Sequence, residues 1–329
     1  MDRTDQSAHL AEGQVIRLKV RRLGINGEGV GHFQKKVVFV EGAIPEETVL
    51  ARVYEVERQF ARARLLRVLK TSPHRRETPC PVYEECGGCQ LQHIDYSFQL
   101  HLKRELLKEA FSRYTGLRDL PIAPTVGMDE PWQYRNKAQL PLKGIGGGVK
   151  MGMYSAGSHR LIDMGDCAVQ HPDVNVALEA ARRVVEELGI PIYDERKHTG
   201  SLRHLVARTG LQTGEIQLVL VSRTPSLPRE EELVERLREC LPRLASIVLN
   251  VNPRRTSVVL GERNRVLWGS ATIREMLGGR IYALSAPAFF QLNPEQTVKL
   301  YDEVKRAAAL TGRETVVDAY CGAGTIGLW

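Results

Sequence analysis

Three cysteines crowd into ten residues of this chain, and a fourth follows much later. Cys80, Cys86 and Cys89 have the spacing C-x5-C-x2-C, and Cys167 lies 78 residues beyond them. In a cytosolic protein such a group is more often a metal site than a disulfide framework. Four cysteines suit either a tetrahedral zinc ion or an iron–sulfur cluster. The x5 gap departs from the shorter spacings common in zinc sites, which favours iron–sulfur.

Two histidines and two further cysteines have other expected roles. His93 and His171 lie near the cysteine group in sequence, and either could replace one thiolate, but local hydrogen bonding is the expectation for both. Cys240 ends a predicted helix and is expected to pack against its neighbours. Cys321 lies in a glycine-rich loop, where it could act as a nucleophile, although a small residue that fills the loop is the favoured interpretation.

A second motif with chemical potential is the run TVVDAYCGAGTIGLW at 315–329. A β-branched run leads to Asp318, then to a small-residue loop, then to what reads as the start of a helix. This order is typical of the opening strand, loop and helix of a nucleotide-binding α/β fold. Gly322 and Gly324 let the backbone approach a ligand, and a helix start offers free N–H groups. Such a sheet needs further strands, so we expect the 329 residues to carry only the beginning of this domain.

The charge of the chain is positive and uneven. The net charge is +7, and residues 1–79 hold 15 Lys/Arg against 10 Asp/Glu. Patchy positive charge favours a polyanion such as nucleic acid as partner, although a solvated basic face is the simpler alternative. No apolar run approaches the ~20 residues that a membrane span needs. The first twelve residues are polar and unlike a secretory signal, so the cytosol is the expected compartment.

The first quarter of the chain reads as a small β-domain. Strands are predicted at 14–21, 37–40, 48–56 and 61–69, with a glycine-rich turn region at 24–31 and a second turn at 41–45. Short strands joined by Gly/Pro turns over residues 13–70 predict a small closed barrel of the oligonucleotide-binding kind.

The rest of the chain mixes helices and strands. Residues 97–114 repeat apolar side chains at four-residue steps, which predicts a helix. Further strands are predicted at 137–142, 205–208, 216–222, 247–251 and 257–260, with a hairpin turn at Thr213-Gly214. Helices are predicted at 174–188, at about 229–239 and from Pro294 to about 310, and the last one leads into a strand at 315–320.

Together these motifs resemble one family closely: the S-adenosylmethionine-dependent RNA uracil-5-methyltransferases, in their iron–sulfur, TRAM-domain branch. The bacterial members that form 5-methyluridine in 23S ribosomal RNA are the most similar. The resemblance covers nearly all of residues 13–329 and rests on the following runs in this order: GEGVG at 27–31, VFV at 38–40, GAIP at 42–45, CGGCQ at 86–90, YRNK at 134–137, GSHR at 157–160, FFQLN at 289–293 and DAYCGAG at 318–324.

The resemblance implies a multidomain α/β architecture. It places an OB-like TRAM barrel that binds RNA at 10–72, and a β-rich central domain with the cysteine cluster at 73–96 and 120–284. Residues 97–119 and 285–329 would form the beginning of a Rossmann-like methyltransferase domain.

The resemblance also implies particular ligands. A four-iron, four-sulfur cluster would be held by Cys80, Cys86, Cys89 and Cys167. S-adenosylmethionine would be contacted by Gln291, Tyr320, Gly322, Gly324 and Thr325.

RNA is the expected partner, through Phe289 for stacking and through Arg135 and Lys137 for phosphate or base edges. The family adds a cysteine thiolate to C6 of uracil so that C5 can accept a methyl group, and a base then removes the C5 proton. The family keeps both groups downstream of the glycine-rich loop, so we expect them beyond Trp329 and expect the chain as given to be inactive.

The expected protein is a cytoplasmic monomer that acts on 23S ribosomal RNA. The alternatives are a non-catalytic RNA-binding protein with a metal cluster and a zinc-dependent structural module.

Overall fold

A closed five-stranded barrel lies at the start of the described chain, which runs from residue 10 to residue 329 in a computed structural model of the protein. Its strands are β1 (Val15–Leu23), β2 (Gly29–Phe33), β3 (Lys36–Glu41), β4 (Thr48–Val56) and β5 (Phe60–Lys70). The order around the barrel is β1-β2-β3-β5-β4; β3 and β5 are parallel, and the other neighbours are antiparallel. Alternate residues of β1, namely Ile16, Leu18 and Val20, fill the interior. The predicted closed barrel is confirmed.

The last part of the predicted glycine-rich turn region, residues 29–31, belongs to strand β2, and its glycines fit the barrel for steric reasons. A Cβ at Gly29 would lie 2.7 Å from the Ala43 carbonyl oxygen, and one at Gly31 would lie 2.6 Å from that of Lys19. Gly27 has a φ of +92°, which disfavours other residues. Here the glycines serve close backbone packing.

The chain divides into two compact units, one formed by residues up to Tyr83 with Cys89–Gly127, and the other by Glu84–Gly88 with Met128–Trp329. The first unit also contains α1 (Tyr96–Thr115), which confirms the predicted helix at 97–114. The Asp95 side chain caps its N-terminus, and Gly116, with a φ of +74°, ends it. The domain boundaries inferred from the sequence stay predictions.

A seven-stranded sheet forms the centre of the second unit. Its strands are β6 (Lys137–Ile145), β7 (Gly148–Tyr154), β8 (Leu161–Asp163), β9 (Leu202–Thr209), β10 (Ile216–Ser222), β11 (Leu244–Val251) and β12 (Arg263–Gly269). The order is β12-β11-β10-β9-β6-β7-β8, and only the β10–β11 pair is parallel among these described strands. Helices α2 (Pro172–Glu187) and α3 (Glu230–Cys240) confirm the two predicted helices, and α2 contacts β9 and β10. All seven residues of β10 are buried, because both faces of the sheet are covered there.

A hairpin and a helix complete the second unit. Strands β13 (Thr272–Leu277) and β14 (Arg280–Ser285) pair with each other, and α4 (Pro294–Ala308) begins at the predicted proline. Their apolar side chains form one cluster, which includes Ile273, Leu284, Phe290 and Tyr301. This cluster supports the segment between β14 and α4, where several predicted site residues lie.

Two predicted strands are wrong. Residues 257–260 are irregular, because the edge of β11 is taken by β12 and the Asn252 amide binds the carbonyls of Val258 and Val259. Residues 315–320 form no strand, and Val316 and Val317 are 62% and 81% exposed. A strand needs a neighbour for its N–H and C=O groups, and no described strand lies beside this segment. The helix start expected after it is a series of turns.

Residues 1–9, which include most of the polar N-terminal segment considered above, lie outside the described residues. Among residues 10–329 no helix is both long and apolar enough to cross a membrane.

Candidate functional site

The segment at residues 286–293, here called the anchored loop, is tied to the central sheet by Asn136. The backbone N–H of Asn136 donates to the Leu292 carbonyl at 3.1 Å, and its side-chain amide donates to the Gln291 carbonyl at 3.1 Å. Asn136 is only 2% exposed and immediately precedes β6. One buried residue therefore fixes the backbone of a loop that follows it by 155 positions.

A buried arginine holds the same loop from the neighbouring strand. Arg208 pairs with Lys137 across β9 and β6, and its guanidinium donates to the carbonyls of Ser285, at 3.1 Å, and Ala288. Burial lowers the pKa of Arg208 to about 10, and the negative charge of Glu275 opposes this change. Glu275 is fully buried and accepts backbone N–H groups of Leu211 and Met276, each at 3.0 Å. The loop is thus positioned by side chains that water does not reach.

The three predicted RNA contacts lie in the anchored loop or next in sequence to Asn136, which holds it. Phe289, at the middle of the anchored loop, is 71% exposed, whereas its neighbour Phe290 is buried. The side chains of Arg135 and Lys137 flank Asn136 in sequence and form no hydrogen bond or ion pair with other residues of the described range 10–329. Burial, reinforced by Arg208, lowers the pKa of Lys137 to about 8. Two half-buried cations without a carboxylate partner give this region the capacity to bind an anion.

The predicted cofactor residues fall into two places. Gln291 lies in the anchored loop, and its side chain makes no hydrogen bond within the described chain. Tyr320, Gly322, Gly324 and Thr325 lie in the glycine loop, defined here as residues 318–325. Tyr320 is fully exposed with a φ of +62°.

The glycine loop is open and has few supports. Gly322 and Gly324 have φ values of +58° and +70°, and a Cβ at Gly322 would meet nothing within 4 Å. The Thr325 hydroxyl lies 2.7 Å from the Tyr301 hydroxyl of α4, and Asp318 accepts the Gly327 N–H at 3.1 Å. Among the described residues no hydrogen bond links this loop to Gln291. The backbone of this loop is open, and no hydrogen bond joins the two sets of predicted cofactor residues; their role stays a prediction.

The four cysteines predicted to bind a cluster are divided between the two compact units. Cys80 and Cys89 belong to the first, and Cys86 and Cys167 belong to the second. All four are half-buried and none is in a disulfide. The Gly88 N–H donates to the Cys86 sulfur at 3.4 Å, as backbone amides do to cluster thiolates. Within residues 10–329 no three His, Cys, Asp or Glu side chains are grouped closely enough to hold a metal ion.

The two histidines near the cysteines in sequence make the local hydrogen bonds that were expected. His93 is buried, and its Nδ1 lies 2.6 Å from the Tyr83 hydroxyl. Burial, reinforced by Arg75, lowers the pKa of His93 to about 4. The His171 Nδ1 accepts the Asp173 N–H at the start of α2.

Comparison with known proteins shows which family this chain belongs to. A family model for the TRAM domain matches residues 10–66, the barrel. An RNA methyltransferase of Halalkalibacterium halodurans is 52% identical over all of this chain and 72% of its own length. One of Bacillus cereus is 49% identical with the same coverage. The chain belongs to the RNA methyltransferase family. This methyltransferase is also similar, at a TM-score of 0.70 and 27% identity, to a crystal structure of Pyrococcus abyssi tRNA (uracil-54, C5)-methyltransferase in complex with S-adenosyl-L-homocysteine. The match covers 94% of this chain and 69% of that one.

Sequence reasoning missed the supports of the site in this RNA methyltransferase. Asn136 lies inside the run YRNK, but only its neighbours were singled out. Arg208 is one of two arginines in a strand whose residues are almost all buried, and a charge in such a strand signals a buried hydrogen-bonding role. Tyr301 carried no signal beyond its place on the apolar face of α4.

Proposed function

We propose that this RNA methyltransferase uses S-adenosylmethionine to methylate C5 of uracil in RNA, forming 5-methyluridine, with 23S ribosomal RNA as substrate. The observation that carries the proposal is the fold similarity to a uracil-C5 methyltransferase bound to S-adenosyl-L-homocysteine, over 94% of this chain. The 23S substrate is supported by the motif resemblance, whereas that structural relative acts on tRNA.

The proposed roles follow from the positions of the side chains. Phe289 is exposed on a fixed backbone, which suits a ring that stacks on a base drawn out of its helix. Arg135 and Lys137 supply positive charge that no carboxylate within the described residues neutralises. When bound, S-adenosylmethionine supplies the methyl group.

The chemistry of the proposed cofactor residues supports their assignment. Gln291 offers a donor and an acceptor to an amino acid group, and its backbone is already held by Asn136. Gly322 and Gly324 leave the backbone of the glycine loop open, and Tyr320 presents an exposed ring beside it. No described residue is assigned as the nucleophile that adds to C6 or as the base.

Methylated RNA identifies both the product and the substrate. Ribosomal RNA and tRNA from cells with and without the intact gene would be digested to nucleosides and analysed by mass spectrometry. We expect one or more 5-methyluridines to disappear from 23S ribosomal RNA. Loss of 5-methyluridine from tRNA alone would show that tRNA, and not 23S ribosomal RNA, is the substrate. Unchanged 5-methyluridine in both RNAs would contradict the proposed reaction. The inactivity of the 329-residue chain stays a prediction, which any methyl transfer above an RNA-free blank would contradict.

A four-iron, four-sulfur cluster on Cys80, Cys86, Cys89 and Cys167 is part of the proposal. Four thiols outside disulfides and the N–H group directed at the Cys86 sulfur support it in chemical terms. Protein purified without oxygen should contain about four irons with labile sulfide. The Cys86→Ser variant should lose iron, whereas Cys240→Ser, which changes a half-buried cysteine at the end of α3, should retain it. Stoichiometric zinc without sulfide would contradict the assignment. The cytoplasmic location and the monomeric state stay predictions.

A further inference from the structure

An irregular loop at residues 252–262, here called the basic loop, is held by three buried polar side chains. Arg203 is 5% exposed, Asn250 is fully buried and Asn252 is 2% exposed. The Arg203 guanidinium donates to the carbonyls of Asn252 and Arg254, each at 2.7 Å, and to that of Thr256 at 3.1 Å. The loop joins two antiparallel neighbours, β11 and β12, which a short hairpin turn could connect, so this network indicates a longer loop that is held in one particular shape.

The two asparagines fix the other half of the basic loop. The Asn252 amide donates to the Val258 carbonyl at 2.8 Å, and the Asn250 amide exchanges two hydrogen bonds with the backbone of Gly261, at 2.7 and 2.9 Å. A Cβ at Gly261 would lie 2.0 Å from the Val251 carbonyl oxygen, so only glycine fits there. The loop encloses a cleft of about 480 Å³ that is lined by its own residues, among them Arg254 and Glu262, and by Arg263.

Positive charge without a partner gathers beside this cleft. Desolvation lowers the pKa of the His198 imidazole, and the positive charges of Arg255, Arg223 and Arg203 reinforce this change, so the three cations lie near that ring. None of these three arginines forms an ion pair with any residue of the described chain, whereas the neighbouring Arg254 is paired with Glu262. Arg255 is exposed and Arg223 is half-buried. Uncompensated cations of this density attract a polyanion.

One face of the nearby Tyr193 ring is already occupied by a cation. Tyr193 is covered by the Arg203 guanidinium, whose central carbon lies 4.7 Å from the ring centroid, and the Tyr193 hydroxyl lies 2.8 Å from His198 Nδ1. Guanidinium forks without a free aromatic ring suit phosphate groups better than bases, because a fork matches two phosphate oxygens. Contacts of this kind position a nucleic acid without reading its sequence.

We propose that the basic loop, with Arg223 and Arg255, is a second RNA contact that binds phosphodiester groups of the substrate away from the methylated base. This inference rests on the proposed function, because it takes RNA to be the substrate. It assigns the loop to orientation of the RNA, while the anchored loop presents Phe289 to the target base.

Salt-dependent RNA binding tests the proposal. Dissociation constants would be measured for a 23S ribosomal RNA fragment between 50 and 300 mM salt, with the full chain and an Arg223→Gln/Arg255→Gln double variant. Each lost phosphate contact should reduce the slope of log K against log salt by about 1, so a slope change of about 2 is expected. The affinity near physiological salt should fall about tenfold or more. The affinity for S-adenosyl-L-homocysteine should not change.

The matched control is the double variant Arg118→Gln/Arg313→Gln, which removes two exposed arginines that form no ion pair among the described residues. Its slope should stay within experimental error of the unaltered protein. Because Arg223 also donates to the Gly200 carbonyl, the single Arg255→Gln variant guards against a folding defect and should lower the slope by about 1. The Arg255→Lys variant keeps the charge and should retain most of the slope.

The outcomes separate the two proposals. Equal slopes for the two double variants would overturn the second contact and leave the methyltransferase proposal intact. RNA binding by the unaltered protein that does not depend on salt would also overturn the second contact alone, whereas failure of the unaltered protein to bind the RNA at any salt concentration would overturn both. Inorganic phosphate or AMP at millimolar concentration that displaces the RNA from the unaltered protein, but not from the Arg223→Gln/Arg255→Gln variant, would identify a small-anion site and overturn the RNA assignment.

Discussion

The anchored loop and the glycine loop are both predicted to contact S-adenosylmethionine, yet the structure supports them very differently. Asn136 and Arg208 hold the first with four hydrogen bonds from buried positions. The second has the Tyr301–Thr325 contact and a few bonds within itself, and its apolar neighbours Val316 and Val317 are exposed. One loop is therefore fixed before any ligand binds, whereas the backbone of the other is only accessible.

This difference assigns different tasks to the two loops. A fixed backbone around Gln291 can define where an amino acid group and a stacked base sit. An open loop with two glycines in left-handed conformation leaves space for a ligand but does not orient it. Four substitutions can break or sharpen this distinction.

Removing the buried arginine should have the largest effect. In Arg208→Met the carbonyls of Ser285 and Ala288 lose their donor, and Glu275 loses a neighbouring charge. We expect a loss of about 3 kcal/mol in the free energy of unfolding, measured with urea. The control Arg183→Met removes an exposed cation near Glu187 and should cost no more than about 0.5 kcal/mol. Equal losses would show that the anchored loop is not held by Arg208.

The Asn136→Ala substitution should have the next largest effect. It leaves the Gln291 carbonyl without a donor, while the backbone bond to Leu292 remains. The expected cost is about 1–2 kcal/mol, with weaker binding of S-adenosyl-L-homocysteine measured by calorimetry. Asn264→Ala, which instead removes an acceptor of the Asn250 amide at 2.8 Å, serves as control for the loss of an amide hydrogen bond elsewhere and should leave that binding unchanged. Unchanged binding of S-adenosyl-L-homocysteine in both variants would show that the anchored loop does not contribute to cofactor binding.

A titration at Lys137 should give a smaller effect, on RNA binding. Its pKa of about 8 means that the ammonium group loses its proton between about pH 7 and 9, so RNA affinity should fall severalfold over that range. Lys137→Arg keeps its charge and should remove this dependence. The same pKa changes the free energy of unfolding in the opposite direction. Between pH 8 and 10 Lys137 binds more protons in the unfolded chain than in the folded protein, so the free energy of unfolding rises with pH. An identical pH profile for both proteins would exclude Lys137 from the contact.

The smallest effect is expected at the glycine loop. Tyr301→Phe removes the hydroxyl that contacts Thr325, and because Thr325 is only half-buried the cost should be about 0.5 kcal/mol. Tyr282→Phe is the matched control, since its buried hydroxyl has no hydrogen-bond partner among the described residues. If thermal unfolding showed Tyr301→Phe to be as costly as Asn136→Ala, the two loops would be equally well anchored and the comparison would fail.

Features set by local sequence were predictable. Alternation and glycine turns predicted the barrel, and four-residue apolar spacing predicted α1. The apolar residues at 257–260 and 315–320 also looked like strands, but a strand depends on a neighbour that local sequence does not reveal. Asn136 and Arg208 escaped notice for a related reason: their partners lie 155 and 77–80 positions away, and no short motif connects them.

That separation of Asn136 from its partner also sets the order in which the protein can mature during synthesis. At about 5–20 residues per second, the 155 positions between Asn136 and Gln291 take roughly 8–30 s to translate. Until then the amide of Asn136 has only water to bind, and the start of β6 lacks its bond to the Leu292 carbonyl. The barrel has all its strands long before that moment, so a nascent chain can complete its TRAM domain well before the anchored loop is tied to the central sheet.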